Sequence, residues 1–191
     1  MKGMQMIGVL GGVAIAYGCQ TPISLTPQSS PPMENTHEAV RVTRVLSGQT
    51  IEVQPLDSTT ALNQTIRLNG IQAPDSRQTP WGPAAQDHLE TLLLGQTVYL
   101  SPKEGAVDTY NRRWADVWFQ GDLINKTLVA EGLALVNEHS ANSNASAHSE
   151  TPSHVTRLNH AQHRARTLGL GLWNPKNPMS LTPNEFRKQQ I

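Results

Sequence analysis

Few side chains in this sequence are of a type and setting that could do chemistry. Arg67 sits in a β-branched run just before Gly70-Ile71-Gln72-Ala73-Pro74. A guanidinium carries a planar fork of donors suited to a phosphate or a carboxylate. On a strand it can equally be an outward structural arginine, but its place ahead of this loop favours a site. Asp75 follows Pro74, where it either caps the loop or faces the site. Asp108 stands four residues before Arg112 and suits fixing of its own loop. His139, His148, His154, His160 and His163 raise the question of metal, the last two lying one helical turn apart. Without carboxylates or thiolates beside them they make a poor ligand set. Thr151 to Asn184 contains no acid yet holds Arg157, Arg164, Arg166 and Lys176. That is either a phosphate-attracting face or a solvated helix surface.

The elements that must position these residues are short. Val40, Val42 and Val45 lie in a first strand, turned by Ser47-Gly48-Gln49 into Thr50-Ile51-Glu52-Val53. Thr65 to Leu68 is a third strand, Thr97 to Leu100 a fourth and Arg113 to Phe119 a fifth. Pro83 opens a helix with Ala85, Leu89, Leu92 and Leu93 on one face, closed by Gly95. Asn125 to Glu131 is a second helix, with Leu128 and Val129 inward. Val155 to Leu168 is a third, with Val155, Leu158, Ala161, Ala165 and Leu168 inward. Short strands followed by helices predict an α+β fold: a small five-stranded OB-type barrel carrying three helices. Trp81, Trp114, Trp118 and Trp173 belong to its core or rim, with room for at most one stacking role.

The chain has 191 residues, enough for one domain with appendages. Fifteen acids balance fifteen Lys plus Arg, which excludes a nucleic-acid binder recognisable by bulk charge. Charged residues are 16 %, below the usual level of about 25 %. The single cysteine excludes an internal disulfide and a multi-Cys zinc site. Residues 1–19 read as a lipoprotein-type signal peptide: Lys2, an apolar run from Met4 to Ala16, then Ala16-Tyr17-Gly18-Cys19. The run is shorter than the ~20 residues that span a bilayer, and Cys19 falls at the lipidation position. The domain is then extracytoplasmic and membrane-anchored, on the periplasmic or cell-surface side, with secretion as the alternative. Residues 20–38, with four prolines among Ser, Thr and Gln, form a tether. The folded domain covers 39–173, with a Ser/Asn/Ala-rich mobile insertion over 137–153. A tail over 174–191 carries capping-box spacing at Thr182-Pro183-Asn184-Glu185 and a possible short helix from Pro183 to Gln190.

Read in order, several segments resemble the staphylococcal-nuclease (thermonuclease) family. They are Arg44 to Ile51, Ile66 to Asp75, Trp81 to Ala85, Asp108 to Arg112, Ile124 to Val129, Glu131 to Ala134 and Gly169 to Trp173. Each is weak alone, and the ordered set is strong. The resemblance implies an OB-type barrel and a calcium-dependent phosphodiesterase acting on DNA or RNA. In that chemistry the ion neutralises the phosphodiester and positions a water. A carboxylate orients the water, and two arginines stabilise the phosphorane charge. The resemblance places Arg67 and Arg112 at the arginine positions, and Asp75 where most members carry Glu. Tyr110 either lines the nucleotide pocket or packs on the barrel.

At the metal site the resemblance breaks. The family's calcium aspartates correspond to Gln49 and Gln72, and its usual Thr before the proline to Ala73. A unit-charge pair at ~4 Å is worth about 4 kcal/mol at an effective dielectric of ~20. Losing two such charges against a divalent ion removes most of its affinity, so no metal is expected, and Ca2+ only if the protein is active. Two function classes follow: a thermonuclease-like domain with a degraded calcium site that binds single-stranded nucleic acid or nucleotides, or an active extracytoplasmic nuclease with a rearranged site. Gln49, Gln72, Ala73 and the neutral charge favour the first. Nothing in the sequence points to an oligomer.

Overall fold

The computed structural model describes residues 37–56, 62–137 and 153–190. The proposed signal peptide with Cys19, the tether up to residue 36 and nearly all of the 137–153 insertion lie outside the described residues. In chain order the elements are β1 (Glu38–Ser47), β2 (Thr50–Pro55), β3 (Gln64–Leu68), β4 (Ile71–Gln72), α1 (Trp81–Leu93), β5 (Thr97–Val107) and β6 (Arg113–Phe119). Then follow β7 (Asp122–Leu123), α2 (Ile124–Ala130), β8 (Leu135–Val136), α3 (His154–Leu168), a 3-10 turn (Gly171–Trp173) and α4 (Pro183–Lys188).

The main sheet runs β3-β2-β1-β5-β6-β7, and a further parallel pairing of β3 with β6 closes it. Ile66 faces Arg113, Arg67 faces Trp114 and Leu68 faces Ala115 across that seam. The result is the closed five-stranded OB-type barrel with helices, an α+β fold. On β1, Val40 and Val42 point inward with period two, and Val45 is also buried although three residues on. Register shifts between Val42 and Arg44 and between Val45 and Ser47 accommodate the extra residue as bulges. Val40, Val42, Ile51, Val53, Ile66, Leu68, Val98, Leu100 and Val117 are buried to within one per cent and form the barrel interior. Each contributes about 1.5–3 kcal/mol of burial.

Helix α1 lays Ala85, Leu89 and Leu93 against this core. It begins at Trp81, two residues before the predicted opening, because Pro83 still lies in the first turn, whose N–H groups have no helical partner. Gly48 is required where the β1–β2 turn meets α1: a Cβ there would stand 2.6 Å from that of Ala85. In α3 the buried stripe is Leu158, Ala161 and Ala165. Leu168, predicted inward, is exposed; Gly169 turns the chain in the left-handed region immediately after it and leaves it no facing element. Helix α4 forms with its full capping box between Thr182 and Glu185 and buries Pro183.

Candidate active site

Strand β3 carries Arg67 and is flanked by β2 and β6. Its cross-strand partner on β2 is Thr50, so the two side chains share one face. Both are buried, and Thr50 Oγ1 and Arg67 Nε have no hydrogen-bond partner. A buried donor without a partner costs about 1–3 kcal/mol, more when charged. The Arg67 guanidinium lies 5.6 Å from the Trp114 ring centroid, which supports it from β6. Burial, then the neighbouring charges of Arg112 and Arg187, push its pKa down to about 9. Asp108 opposes this shift only in part, so this corner of the barrel holds positive charge that is not fully compensated, and two donors with nothing to donate to. An anion would satisfy both.

Arg112 reaches the same place from the β5–β6 connection. Asp108 organises that turn: its Oδ1 accepts from the Tyr110 and Arg112 N–H groups at 2.9 and 3.1 Å. Its Oδ2 accepts from Arg112 Nε at 2.7 Å and pairs with Nη2 at 2.6 Å. Burial opposes the Asp108 charge, but these hydrogen bonds and the arginine charge hold its carboxyl below the usual range. Asp108 thus fixes its own loop, as the spacing predicted. Tyr110 does not pack on the barrel: it is 78 % exposed, with the Arg112 guanidinium 5.1 Å from its ring centroid.

Asp75 lies on the loop between β4 and α1. Its Oδ1 accepts from the Arg77 N–H at 3.1 Å and from Arg77 Nε at 2.9 Å. The Arg77 hydrogen bond holds the carboxyl below its ordinary range, with Arg187 adding a smaller charge effect. Gly82 is what lets α1 seat on this loop: a Cβ there would fall 1.9 Å from the Asp75 carbonyl oxygen. Of the two readings of Asp75, loop capping is realised in full, and its charge also lies within reach of Arg187.

Gln49, Gln72 and Ala73 form the remaining wall. Gln49 Oε1 accepts from the Ala73 N–H at 2.6 Å, a buried bond that ties the β1–β2 turn to the β4 loop. Gln72 Nε2 donates to Asn184 Oδ1 on α4 at 2.5 Å. The amide orientations are fixed by their neighbours. Arg187 Nη2 also points at Asn184 Oδ1, at 3.0 Å, and a guanidinium can only donate. Asn184 must therefore present oxygen, and Gln72 its NH2 group. Among the described residues no three His, Cys, Asp or Glu side chains are grouped to hold a metal ion. His160 and His163 are exposed, His154 pairs with Asp116 at 3.1 Å, and His139 and His148 lie outside the described residues.

Three features escaped the sequence. Asn184 and Arg187 reach the site from the tail, whose order was hinted at by the capping box and by the likeness of Pro183 to Arg187 to the tail that many family members carry, but neither pointed to the site. Asn125, in an otherwise apolar stretch, is fully buried: Nδ2 donates to the Asn69 carbonyl at 2.8 Å and Oδ1 accepts from the Val117 N–H at 3.0 Å. It ties α2 to β6 and to the end of β3. Arg157 and Arg166, in the acid-free stretch, lie against Trp118 and Trp173, at 5.8 and 4.3 Å from the ring centroids. A cleft of about 190 Å³ lined by Pro80, Trp81, Leu133, Leu172 and Asn174 carries none of the predicted site residues.

Comparison with known proteins agrees with this fold. The family model described as "Staphylococcal nuclease homologue" matches residues 65–175. An "Uncharacterized endonuclease" of Haemophilus influenzae is 30 % identical over 152 residues, covering 78 % of this chain and 73 % of that protein. The "Thermonuclease" of Staphylococcus intermedius is 30 % identical over 102 residues, 51 % of this chain and 58 % of its own. An "Uncharacterized 38.1 kDa protein" of Capnoides sempervirens is 30 % identical over 147 residues, 77 % of this chain, which spans only 37 % of that protein's length. The chain carries a thermonuclease-like nuclease domain and belongs to the staphylococcal nuclease homologue family.

Proposed function

We propose that this protein is an extracytoplasmic, lipid-anchored member of the family that binds the phosphates of single-stranded nucleic acid or nucleotides and has lost its calcium site. The observation that carries this reading is the glutamine pair. Calcium takes six to eight oxygen ligands, with carboxylates supplying the charge. Gln49 commits its oxygen to the Ala73 N–H, and Gln72 presents an NH2 group to Asn184. These residues do not fit the ion. What the chain's own side chains do is hold an anion: Arg67, whose Nε is unpaired beside the unpaired Thr50 Oγ1, and Arg112 braced by Asp108. Asp75, with its proton affinity lowered by Arg77, is a weak acceptor for the proton of an attacking water.

The test is cleavage of single-stranded DNA by the full chain, with calcium and with chelator. The expected result is no calcium-dependent cleavage. Binding of a nucleoside 3′,5′-bisphosphate should be weak, salt-sensitive and indifferent to chelator. Robust calcium-dependent cleavage would replace this reading with the second one, an active nuclease, which the presence of Arg67, Arg112 and Asp75 at the family's positions favours. Anchoring is tested separately: Cys19→Ala should release the protein from the membrane fraction or leave an uncleaved precursor, and lipid labelling that persists in Cys19→Ala overturns it.

A further inference from the structure

The tail packs on the candidate site through polar groups, which a terminal helix docked only for stability would not need. Gln78 Nε2 donates to the Leu181 carbonyl at 2.6 Å, just before α4 begins. Pro183 is buried, so the first turn of α4 is seated on the domain. One turn on, Asn184 joins Gln72 to Arg187 through a single oxygen. Gln72 stands at a position where the resemblance implies a calcium ligand, so Asn184 and Arg187 approach the place the ion would take. Arg187 is half-buried, and among the described residues no carboxylate lies within 4 Å of it. Its charge is nonetheless felt by Arg67 and by Asp75, in keeping with the position that the Gln72–Asn184–Arg187 bonds give it.

We propose that Arg187 is a third phosphate-binding arginine, held at the site by Asn184 and Gln72, and that it supplies the positive charge a divalent ion would otherwise bring. The proposal rests on the phosphate-binding reading given above. It explains why the guanidiniums of Arg67, Arg77, Arg112 and Arg187 gather where, among the described residues, two carboxylates, Asp75 and Asp108, are near, each already paired with an arginine of its own loop. It also explains why Gln72 is compatible with phosphate binding: its NH2 group orients Asn184, and Asn184 orients Arg187. A guanidinium carries a permanent charge and needs no free ion in the surroundings.

The experiment measures binding of a nucleoside 3′,5′-bisphosphate to the full chain in chelator over a range of salt. The proteins compared are the wild type, Arg187→Gln, Arg187→Lys and Arg67→Gln. Arg187→Gln should weaken binding about tenfold at low salt and shrink the slope of log affinity against log salt by about one ionic contact. Arg187→Lys should recover part of the affinity and the whole slope, because it keeps the charge and loses the fork. Arg187 lies at the surface of a six-residue helix, so the barrel's melting temperature should not move. Affinity and slope unchanged in Arg187→Gln, with Arg67→Gln still weakened, overturns the proposal and leaves the site reading standing. Tighter binding in Arg187→Gln would make α4 a cover over the site and overturns it equally. If Arg67→Gln binds like the wild type, the site reading itself falls.

Discussion

The arginine wall and the glutamine wall of this site sit on the same barrel corner and have been treated in opposite ways. On the arginine wall, Arg67 is held buried with Nε unpaired, and Arg112 is clamped by a dedicated aspartate. On the glutamine wall one polar atom of each side chain is committed internally, Gln49 Oε1 to the Ala73 N–H and Gln72 Nε2 to Asn184. Unpaired buried groups cost stability and signal a ligand; internally paired ones stabilise and signal none. The difference supports the proposal that the capacity to hold phosphate and the capacity to hold calcium are separable on this fold. A structure that had simply lost its function would be free to relieve both walls, and this one relieves only the second.

Restoring the second wall is the change with the largest expected effect. Gln49→Asp and Gln72→Asp together return two charged oxygens, and Asp75→Glu returns the reach of the base. The triple variant should gain calcium-dependent cleavage of single-stranded DNA at least about a hundredfold over either partial set, because such groups act as a unit. The gain should vanish with chelator and with Arg112→Ala. A triple variant that binds calcium and still fails to cleave would show that the arginine wall has changed as well, and would narrow the contrast between the walls.

The arginine wall can be broken from within, because its two arginines differ in how they are paid for. Arg67→Met removes a buried charge that has no direct ion pair and only a weaker, opposing contribution from Asp108, so it should raise the melting temperature, by an amount corresponding to about 1 kcal/mol. The same change should weaken bisphosphate binding about ten- to a hundredfold, as for loss of a hydrogen bond to a charged group. Arg112→Met also weakens binding but strips Asp108 Oδ2 of its guanidinium partner, so it should lower the melting temperature. Thermal melts of the two variants, alone and with ligand, check both signs. Equal destabilisation by both would mean that Arg67 is a structural arginine with a partner.

How much of this was legible depends on the range of the interactions. The five barrel strands, α1, α2 and α3 follow from local periodicity, and the structure keeps them within a few residues except for β5, which runs on from the predicted end at Leu100 to Val107. β4 and β8 hold two residues each, too few for any period to show. Leu168 follows the helical stripe but has nothing to pack on, because the stripe marks a face and not what faces it. Arg67 and Arg112 could be placed through the resemblance, since each sits in a local motif. Arg187 lies in a tail segment that resembles the family's, but its place at the site could not be read, because it is set by a bond between Gln72 and Asn184, 112 residues apart in sequence. Asn125 is invisible for a related reason: a lone polar residue in a short apolar helix is recognised only once the carbonyl and N–H it serves are in place.

The smallest expected effect tests the join between the two walls. Thr182 caps α4: its Oγ1 accepts from the Glu185 N–H at 3.3 Å, and Glu185 Oε2 accepts from the Thr182 N–H at 2.7 Å. Loss of such a cap costs about 1 kcal/mol. In a helix of six residues that is enough to fray the segment. Pro183 and the Gln78 bond to Leu181 would still hold its start. Thr182→Ala should therefore lower hydrogen-exchange protection of the amides from Phe186 to Gln190 while the barrel melts where it did. The Asn184–Arg187 bond lies within the frayed turn, so bisphosphate affinity should fall two- to threefold, less than in Arg187→Gln, and Gln72 should lose its partner part of the time. A collapse of protection with affinity unchanged would show that the arginine wall works without the tail, and that α4 belongs to the glutamine wall alone.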